Sequence, residues 1–137
     1  MSATLKVQAA LACEDLRTEM NGKWMAVGIC GPELSVPAFP AAFNLRFVAI
    51  VDISAAGSAS FSFRLLDAEK KIIMSIKGSI DAMQAVKGIF LPIGGAVVSL
   101  QSPGEIVLQF ETGIGKWRTI QSWYVRLQPL SEVLPTS

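Results

Sequence analysis

The sequence predicts an all-β protein, an antiparallel β-sandwich of about eight or nine strands, with a partly open β-barrel as the alternative. Short segments in which apolar and polar residues alternate recur along the chain, and turn-forming residues separate them at fairly regular spacing. No segment has a strong helical period. The 137 residues are few enough for one domain and numerous enough for a real hydrophobic core. We therefore treat residues 1–137 as a single sandwich domain.

The first predicted strands form a hairpin around Asn21-Gly22. A two-residue type I′ turn needs positive φ at both central positions, which asparagine and glycine tolerate best. This turn would place Cys13 directly opposite Cys30, close enough for a disulfide. We nevertheless expect two free, largely buried thiols. A bulge near Glu14 would turn the two side chains apart, and the cytoplasm keeps thiols reduced.

The same register divides the hairpin into two faces, because directly opposed residues project from the same side of a sheet. One face is apolar and is expected to lie on the core. On the other, Arg17 could lie across the Trp24 ring as a cation–π pair. We interpret this second face first as a solvated sheet surface, and the alternative is a recognition surface, a candidate binding face. The residues of the candidate binding face are Asp15, Arg17, Glu19 and Trp24.

The strand before the turn changes face along its length. Apolar residues occupy the odd positions from Leu5 to Cys13, whereas the odd positions of the hairpin are polar. Because side chains alternate with a period of two, this change requires a bulge or a bend. We expect the bulge at residues 13–15.

The middle of the chain begins with Pro32, Pro37 and Pro40, which exclude a central strand and predict a crossover loop. Residues 45–53 are strongly apolar and predict a central strand covered on both faces. Residues 60–66 and their return strand then predict a second hairpin around a polar turn, Asp67-Ala-Glu-Lys.

The last third of the chain predicts three more strands. Residues 81–87 are ambiguous and could form one or two helical turns. Residues 96–101, 105–112 and 116–127 alternate as strands do. The tail at residues 128–137 contains two prolines and predicts a loose end.

One resemblance to a known family is visible near the amino terminus. The run Cys13-Glu14-Asp15-Leu16-Arg17-x-Glu19-x-Asn21-Gly22-Lys23, with Val27-Gly28 and prolines after it, resembles the opening of a family of small uncharacterised bacterial proteins. These are domains of unknown function that begin near a Cys-acid-Asp-x-Arg motif. The resemblance covers the first third of the chain, and Cys30 stands where that family leads us to expect Tyr. It implies a bacterial origin and brings no catalytic residues.

The composition argues against several classes of function. The chain has no His, which removes the usual general base, and two cysteines alone cannot complete a four-ligand zinc site. The formal net charge is +1, so no field of one sign would attract nucleic acid or an anionic membrane. No segment has the uninterrupted apolar length of a membrane helix. We therefore expect no cofactor, no metal, no nucleic acid and no membrane partner, and we place the protein in the cytoplasm.

An uncharged apolar run at residues 88–100 predicts self-association. Half of the whole chain is hydrophobic (51%), and a single sheet cannot bury both faces of this run unless something covers it. We therefore predict a homodimer or a higher oligomer. The residues of the candidate interface are Ile89, Phe90, Leu91 and Ile93.

The leading functional hypothesis is a non-catalytic β-sandwich that binds another protein or its own copy. The alternative is a small-molecule or carbohydrate-binding sandwich, because Trp117, Trp123 and Tyr124 lie on one late strand and aromatic rows can stack sugars. An enzyme is the third and least favoured hypothesis, because the chain has no His and no convergent pair of carboxylates.

Overall fold

A computed structural model describes residues 3–129 of the chain and confirms the predicted fold class. This part of the chain forms nine strands and no helix, and the strands make two packed sheets. Of the tail predicted to be loose, residues 128–137, the part from residue 130 onward lies outside the described residues, and the Gln128 amide donates a hydrogen bond to the Val36 carbonyl. The strands are β1 (Leu5–Thr18), β2 (Trp24–Ile29), β3 (Glu33–Val36), β4 (Ala41–Ile53), β5 (Gly57–Leu66), β6 (Ile72–Ala82), β7 (Val86–Leu100), β8 (Gly104–Gly113) and β9 (Lys116–Leu127).

The two sheets are interleaved along the chain. The four-stranded sheet has the order β2-β1-β4-β7, and the five-stranded sheet has the order β3-β9-β8-β5-β6. Neighbouring strands are antiparallel except for β3 and β9, which run parallel. The predicted central strand at residues 45–53 is confirmed as part of β4, between β1 and β7. The predicted second hairpin is β5–β6, with its turn at residues 67–71.

The core lies between the sheets and is centred on two aromatic rings. Trp123 of β9 is 1% exposed and packs edge-on against Phe47 of β4, with 5.4 Å between the ring centroids. Phe63 of β5 packs against Phe110 of β8 beside them, at 5.1 Å. Both pairs have the tilted geometry that aromatic rings prefer. The core therefore joins strands from both sheets and fixes how they face each other.

The four-stranded sheet curls into a half-barrel. Its outermost strands are β2 and β7, yet the ring of Trp24 on β2 stacks on the ring of Phe90 on β7. The centroids are 6.1 Å apart and the planes are 22° apart. A flat sheet would hold these strands two strand widths or more from each other. The sheet can close this distance only by curling.

The bulge in β1 lies five residues or more before the expected position, so the prediction of a bulge at residues 13–15 is wrong. The register between β1 and β4 shifts between Val7 and Ala9. The extra residue, Gln8, donates a side-chain hydrogen bond to Asp52 of β4, and the other oxygen of that carboxylate accepts a hydrogen bond from the Gly88 amide of β7 at 2.9 Å. One carboxylate therefore ties together three strands at the bulge.

The first hairpin has a three-residue loop, and the predicted two-residue turn is wrong. Thr18 pairs with Trp24, and the Glu19 amide donates to the Lys23 carbonyl at 2.7 Å. Within the loop, Gly22 has φ +83 and its amide donates to the Glu19 carbonyl. This is the arrangement of a type I turn followed by a left-handed residue, which Asn-Gly also allows. The loop displaces every pair of the hairpin by one residue.

Two segments differ from their predicted structure because one lies at the edge of a sheet and the other connects the two sheets. Residues 33–36, expected in a loop, form the short edge strand β3, where flanking prolines are tolerated because no strand pairs on the outer side. Residues 81–87, which could have been helical, finish β6, bend at residues 83–85 and begin β7. This bend carries the chain from one sheet to the other.

Candidate functional site

The short edge strand β3 turns part of its backbone away from the protein. β3 pairs in parallel with β9. The Tyr124 amide donates a hydrogen bond to the Pro32 carbonyl at 2.8 Å, and the Gln128 amide donates one to the Val36 carbonyl at 2.7 Å. Backbone groups alternate in direction along a strand. The amide and carbonyl groups of Glu33 and Ser35 therefore point outward, where the described chain has no neighbouring strand.

A second open edge lies on the first half of β4. The pairing of β4 with β1 ends at Cys13 and Arg46, because β1 then diverges from β4 to pair with β2 alone. Residues 41–45 of β4 keep their pairing with β7 on the other side. Within residues 3–129, the backbone groups of residues 41–45 that face away from β7 therefore have no strand partner.

The two open edges line one cleft with a volume of about 540 Å³. Such a volume is typical of a binding site. The walls are mostly apolar, and the polar side chains among them are few. The residues of the cleft are Leu34, Ser35, Val36, Pro37, Ala38, Pro40, Ala41, Ala42, Phe43, Asn44 and Leu45, together with Glu14 and Cys30. We call this the edge cleft.

Among the described residues that line the edge cleft, the ionisable groups are Glu14 and Cys30. Burial, the negative charge of Glu14 and the nearby Cys13 raise the pKa of the Cys30 thiol. Burial also raises the pKa of Cys13, which is fully buried. A thiol with a raised pKa carries little thiolate at neutral pH, and thiolate is the nucleophilic form. The edge cleft therefore has one carboxylate, that of Glu14, and its thiol is poorly suited to act as a nucleophile.

Both cysteines are free, which confirms the prediction of two thiols. The predicted opposition of Cys13 and Cys30 is wrong, because the three-residue loop pairs Cys13 with Ile29. Cys30 instead donates its backbone amide to the Ala12 carbonyl. The shifted register of the hairpin, and not the predicted bulge near Glu14, therefore keeps the two thiols from lying directly opposite each other.

The structure divides the candidate binding face. Arg17 pairs with Met25, whereas Trp24 pairs with Thr18, so Arg17 and Trp24 project from opposite sides of the hairpin. The Arg17 guanidinium contacts Asp15, with 2.9 Å between Nε and Oδ2. Glu19 lies at the start of the loop and is exposed. The proposed Arg17–Trp24 stacking is therefore wrong, and Asp15 and Arg17 remain together as an exposed ion pair.

The candidate interface is largely used within the chain. Ile93 is 1% exposed and belongs to the core between the sheets, and Ile89 and Leu91 pack against that core. Phe90 stacks on Trp24. These contacts engage all four residues of the candidate interface within the chain, so these four no longer require an oligomer, whereas Val97 of the same run is 63% exposed. Self-association itself stays a prediction.

The aromatic residues of β9 do not form one row. Trp123 lies in the core, and Tyr124 is exposed at the other face of the strand. Trp117 is covered by the Arg64 guanidinium, 4.1 Å above its ring, and Arg64 also donates to the Gln109 side chain at 2.8 Å. This arrangement is a cation–π pair with its ring face already occupied. A sugar platform on this strand would need two exposed rings side by side.

The part of the chain that the structure describes has neither a cluster of metal ligands nor a membrane-spanning helix. Among residues 3–129, no three Cys, Asp or Glu side chains come together in a way that could hold a metal ion. No helix in this part of the chain is long and apolar enough to cross a membrane.

Sequence reasoning missed the edge cleft because its walls are backbone edges, which have no residue signature. The segment between Pro32 and Pro37 did contain a signal. Proline at both ends of a short run that includes Leu34 and Val36 is typical of an edge strand. The divergence of β1 and β4, which forms the other wall, depends on tertiary packing.

Comparisons with known proteins found no matching family model, no matching curated protein and no matching solved structure. The resemblance to a family of small bacterial proteins, the bacterial origin that it implies and the cytoplasmic location stay predictions.

Proposed function

We propose that this protein is a non-catalytic binding module that accepts an extended segment of another protein in the edge cleft. The observation that carries the proposal is the outward-facing backbone of Ser35, which lines an apolar cleft, on the same open edge as Glu33. An extended peptide can add a strand to such an edge and gain affinity from main-chain hydrogen bonds. Alternate side chains of the added strand then enter the pockets beneath it.

The cleft also sets a limit on the bound segment. Pro37 follows Ser35 on the outward-facing side of the backbone and has no amide hydrogen, so the outward edge of β3 offers amide donors only at Glu33 and Ser35. Val36, Phe43 and Leu45 offer apolar contacts below that edge. A short segment with apolar residues at alternate positions fits these constraints. Glu14 would favour a basic residue in the segment over an acidic one.

A small apolar molecule is the second candidate ligand. The volume of about 540 Å³, the apolar walls and the three polar side chains Glu14, Ser35 and Asn44 resemble a small-molecule site. This hypothesis replaces stacking on the aromatic residues of β9 with binding in the edge cleft. It needs no hydrogen bond from the edge of β3, and that difference separates the two candidates.

Selection from a displayed peptide library against the purified protein would test the proposal. The decisive variant is Ser35→Pro, which removes one outward amide while an edge position tolerates proline. Ser35→Ala is the matched control because it removes the hydroxyl and keeps the amide. We expect selected segments to bind the wild type and Ser35→Ala alike, and to bind Ser35→Pro roughly tenfold more weakly, the effect of one lost hydrogen bond.

Other results would contradict the proposal. If no extended apolar segment is enriched, or if Ser35→Pro binds as well as Ser35→Ala, strand addition at β3 is wrong. Equal binding of an apolar dye by both variants, with loss of binding in Ala42→Phe, would instead favour the small-molecule hypothesis. Ala42 lines the cleft, so the larger side chain would fill it.

A further inference from the structure

The five-stranded sheet opens at one end, between β5 and β8. These two strands pair over only four residues of each, and the pairing ends at Phe63 and Phe110. β5 itself extends back to Gly57 and stays paired with β6 on its other side. In the part of the chain that the structure describes, residues 57–61 of β5 therefore have no strand on the side of β8.

The backbone of this stretch directs hydrogen-bonding groups into the opening. The Asp67 amide donates to the Lys71 carbonyl across the β5–β6 turn, so the backbone groups of Asp67 point toward β6. These groups alternate in direction along a strand, and the one irregularity of the pair adds a residue to β6 and none to β5. The amide and carbonyl of Ser60 therefore point away from β6, where no strand accompanies them.

A cleft of about 410 Å³ fills the opening, and two opposite charges line it without pairing with each other. Lys77 of β6 lies directly opposite Ser62 of β5, and Glu111 follows the last residue of β8 that pairs with β5. The two charged residues thus flank β5 from either side, roughly 10 Å or two strand spacings apart. Within residues 3–129 neither forms an ion pair. One carboxylate oxygen of Glu111 accepts a hydrogen bond from the Gly115 amide at 3.1 Å, which leaves the other oxygen available.

A buried hydroxyl without a partner lies between these charges. Ser62 lines the cleft and is 7% exposed, and the described residues give its hydroxyl oxygen no hydrogen-bond partner. Such groups are rare because an unpaired buried donor costs free energy. The nearest cation on the same strand face, Arg64, is already engaged by Trp117 and Gln109. The hydroxyl of Ser62 and the amide of Ser60 are therefore donors that lack an acceptor.

We propose that this cleft binds a small zwitterion, a molecule with one carboxylate and one ammonium group, which is the chemistry of a free amino acid. The ligand carboxylate accepts hydrogen bonds from the Ser62 hydroxyl and the Ser60 amide and faces the Lys77 ammonium. The ligand ammonium faces the available oxygen of Glu111. A ligand with only a negative charge would meet the repulsion of Glu111, and one with only a positive charge would meet the repulsion of Lys77.

Another part of the cleft is apolar and would receive the side chain of the ligand. The Phe61 ring lies over Gly78 so closely that a Cβ on this glycine would be 2.6 Å from the ring carbon Cζ. Phe61 and Ile114 both line the cleft. An amino acid with an apolar side chain should therefore bind more tightly than one with a charged side chain, because a third charge would find no partner here.

Titration of the purified protein with each of the common L-amino acids, followed by amide NMR, tests the proposal. We expect at least one amino acid with an apolar side chain to shift the Ser60, Ser62 and Glu111 amide resonances in a saturable manner. The N-acetylated and carboxamide derivatives of that amino acid each lack one of its two charges. Each derivative should bind roughly tenfold more weakly, the effect of losing one hydrogen bond to a charged group.

Substitutions in the protein test the same two charges. Lys77→Gln and Glu111→Gln should each weaken binding roughly tenfold. Lys23→Gln and Glu105→Gln are the matched controls, because they remove the same charges at exposed positions outside the cleft and should bind as the wild type does. Circular dichroism establishes that each variant is folded, and the two ligand derivatives test the same contacts if a variant is not.

Ser62→Ala gives a result that a purely structural serine would not give. Because its hydroxyl is unpaired in the free protein, its removal should leave the thermal midpoint unchanged or raise it, while amino-acid binding weakens roughly tenfold. A serine with only a structural role would lower the midpoint on substitution and leave the affinity unchanged.

Several outcomes would overturn the proposal. The first is that no amino acid shifts these resonances. The second is that an N-acetylated or carboxamide derivative binds as tightly as the free amino acid, because the cleft would then select a single charge. The third is wild-type affinity in Lys77→Gln, Glu111→Gln or Ser62→Ala. None of these results would bear on segment binding in the edge cleft, because the two clefts share no lining residue.

Discussion

Replacing each of two tryptophans with alanine tests how the structure divides core from surface. Trp123 is 1% exposed and packs on Phe47 between the sheets, whereas Trp24 is 43% exposed and touches Phe90 at the rim of one sheet. Trp123→Ala removes a fully buried ring and leaves a cavity, which costs about 3–5 kcal/mol. Trp24→Ala removes a half-exposed ring and one stacking contact, which costs about 1–2 kcal/mol.

Urea denaturation followed by circular dichroism measures both costs. With a slope of about 2 kcal/mol per molar urea, Trp123→Ala should lower the unfolding midpoint by about 2 M and Trp24→Ala by less than about 1 M. A stability of about 10 kcal/mol, the middle of the usual range of about 5–15 kcal/mol, leaves both variants folded in water. A loss above about 3 kcal/mol for Trp24→Ala would refute the reasoning, because it would place that ring in the core.

Three further predictions follow from contacts described above. Double-mutant cycles with Trp24→Ala and Phe90→Ala should show a coupling of about 1 kcal/mol, and a coupling near zero would contradict the curled sheet. Thiol labelling without denaturant should modify Cys30 slowly and leave the buried Cys13 unmodified until urea is added, so equal rates would contradict the burial. Hydrogen bonds from the Gly88 amide and the Gln8 side chain lower the pKa of Asp52, so this carboxylate stabilises the fold above the usual carboxyl pKa and loses that contribution as the pH falls through the lowered pKa. The stability of the wild type should therefore fall more steeply on acidification than the stability of Asp52→Asn. Parallel curves of stability against pH would contradict this.

The strands could be predicted from the sequence because their alternation is local. The β5–β6 and β8–β9 hairpins have turn residues and alternating apolar positions that specify their pairing without reference to the rest of the chain. The register of the first hairpin could not be predicted in the same way. Asn21-Gly22 fits both a two-residue turn and a three-residue loop, and these differ by one residue in every pair.

The position of the bulge and the existence of the edge cleft depend on contacts between distant segments. Gln8 is extruded from β1 where Asp52 of β4 can bind its side chain, and no local pattern in β1 marks that position. The cleft forms where β1 separates from β4 and pairs with β2 alone. A sequence pattern describes one strand at a time, so it could identify the strands without identifying the gap between them.

Amide hydrogen exchange at Ser35 reports on whether a bound segment adds a strand to β3. The Ser35 amide points outward into the edge cleft and has no acceptor from the described chain. When a selected peptide is bound, we expect the Ser35 amide to become protected from exchange, while the Leu34 amide, already paired with β9, changes little. A bound peptide that leaves exchange at Ser35 unchanged would contradict strand addition at this edge.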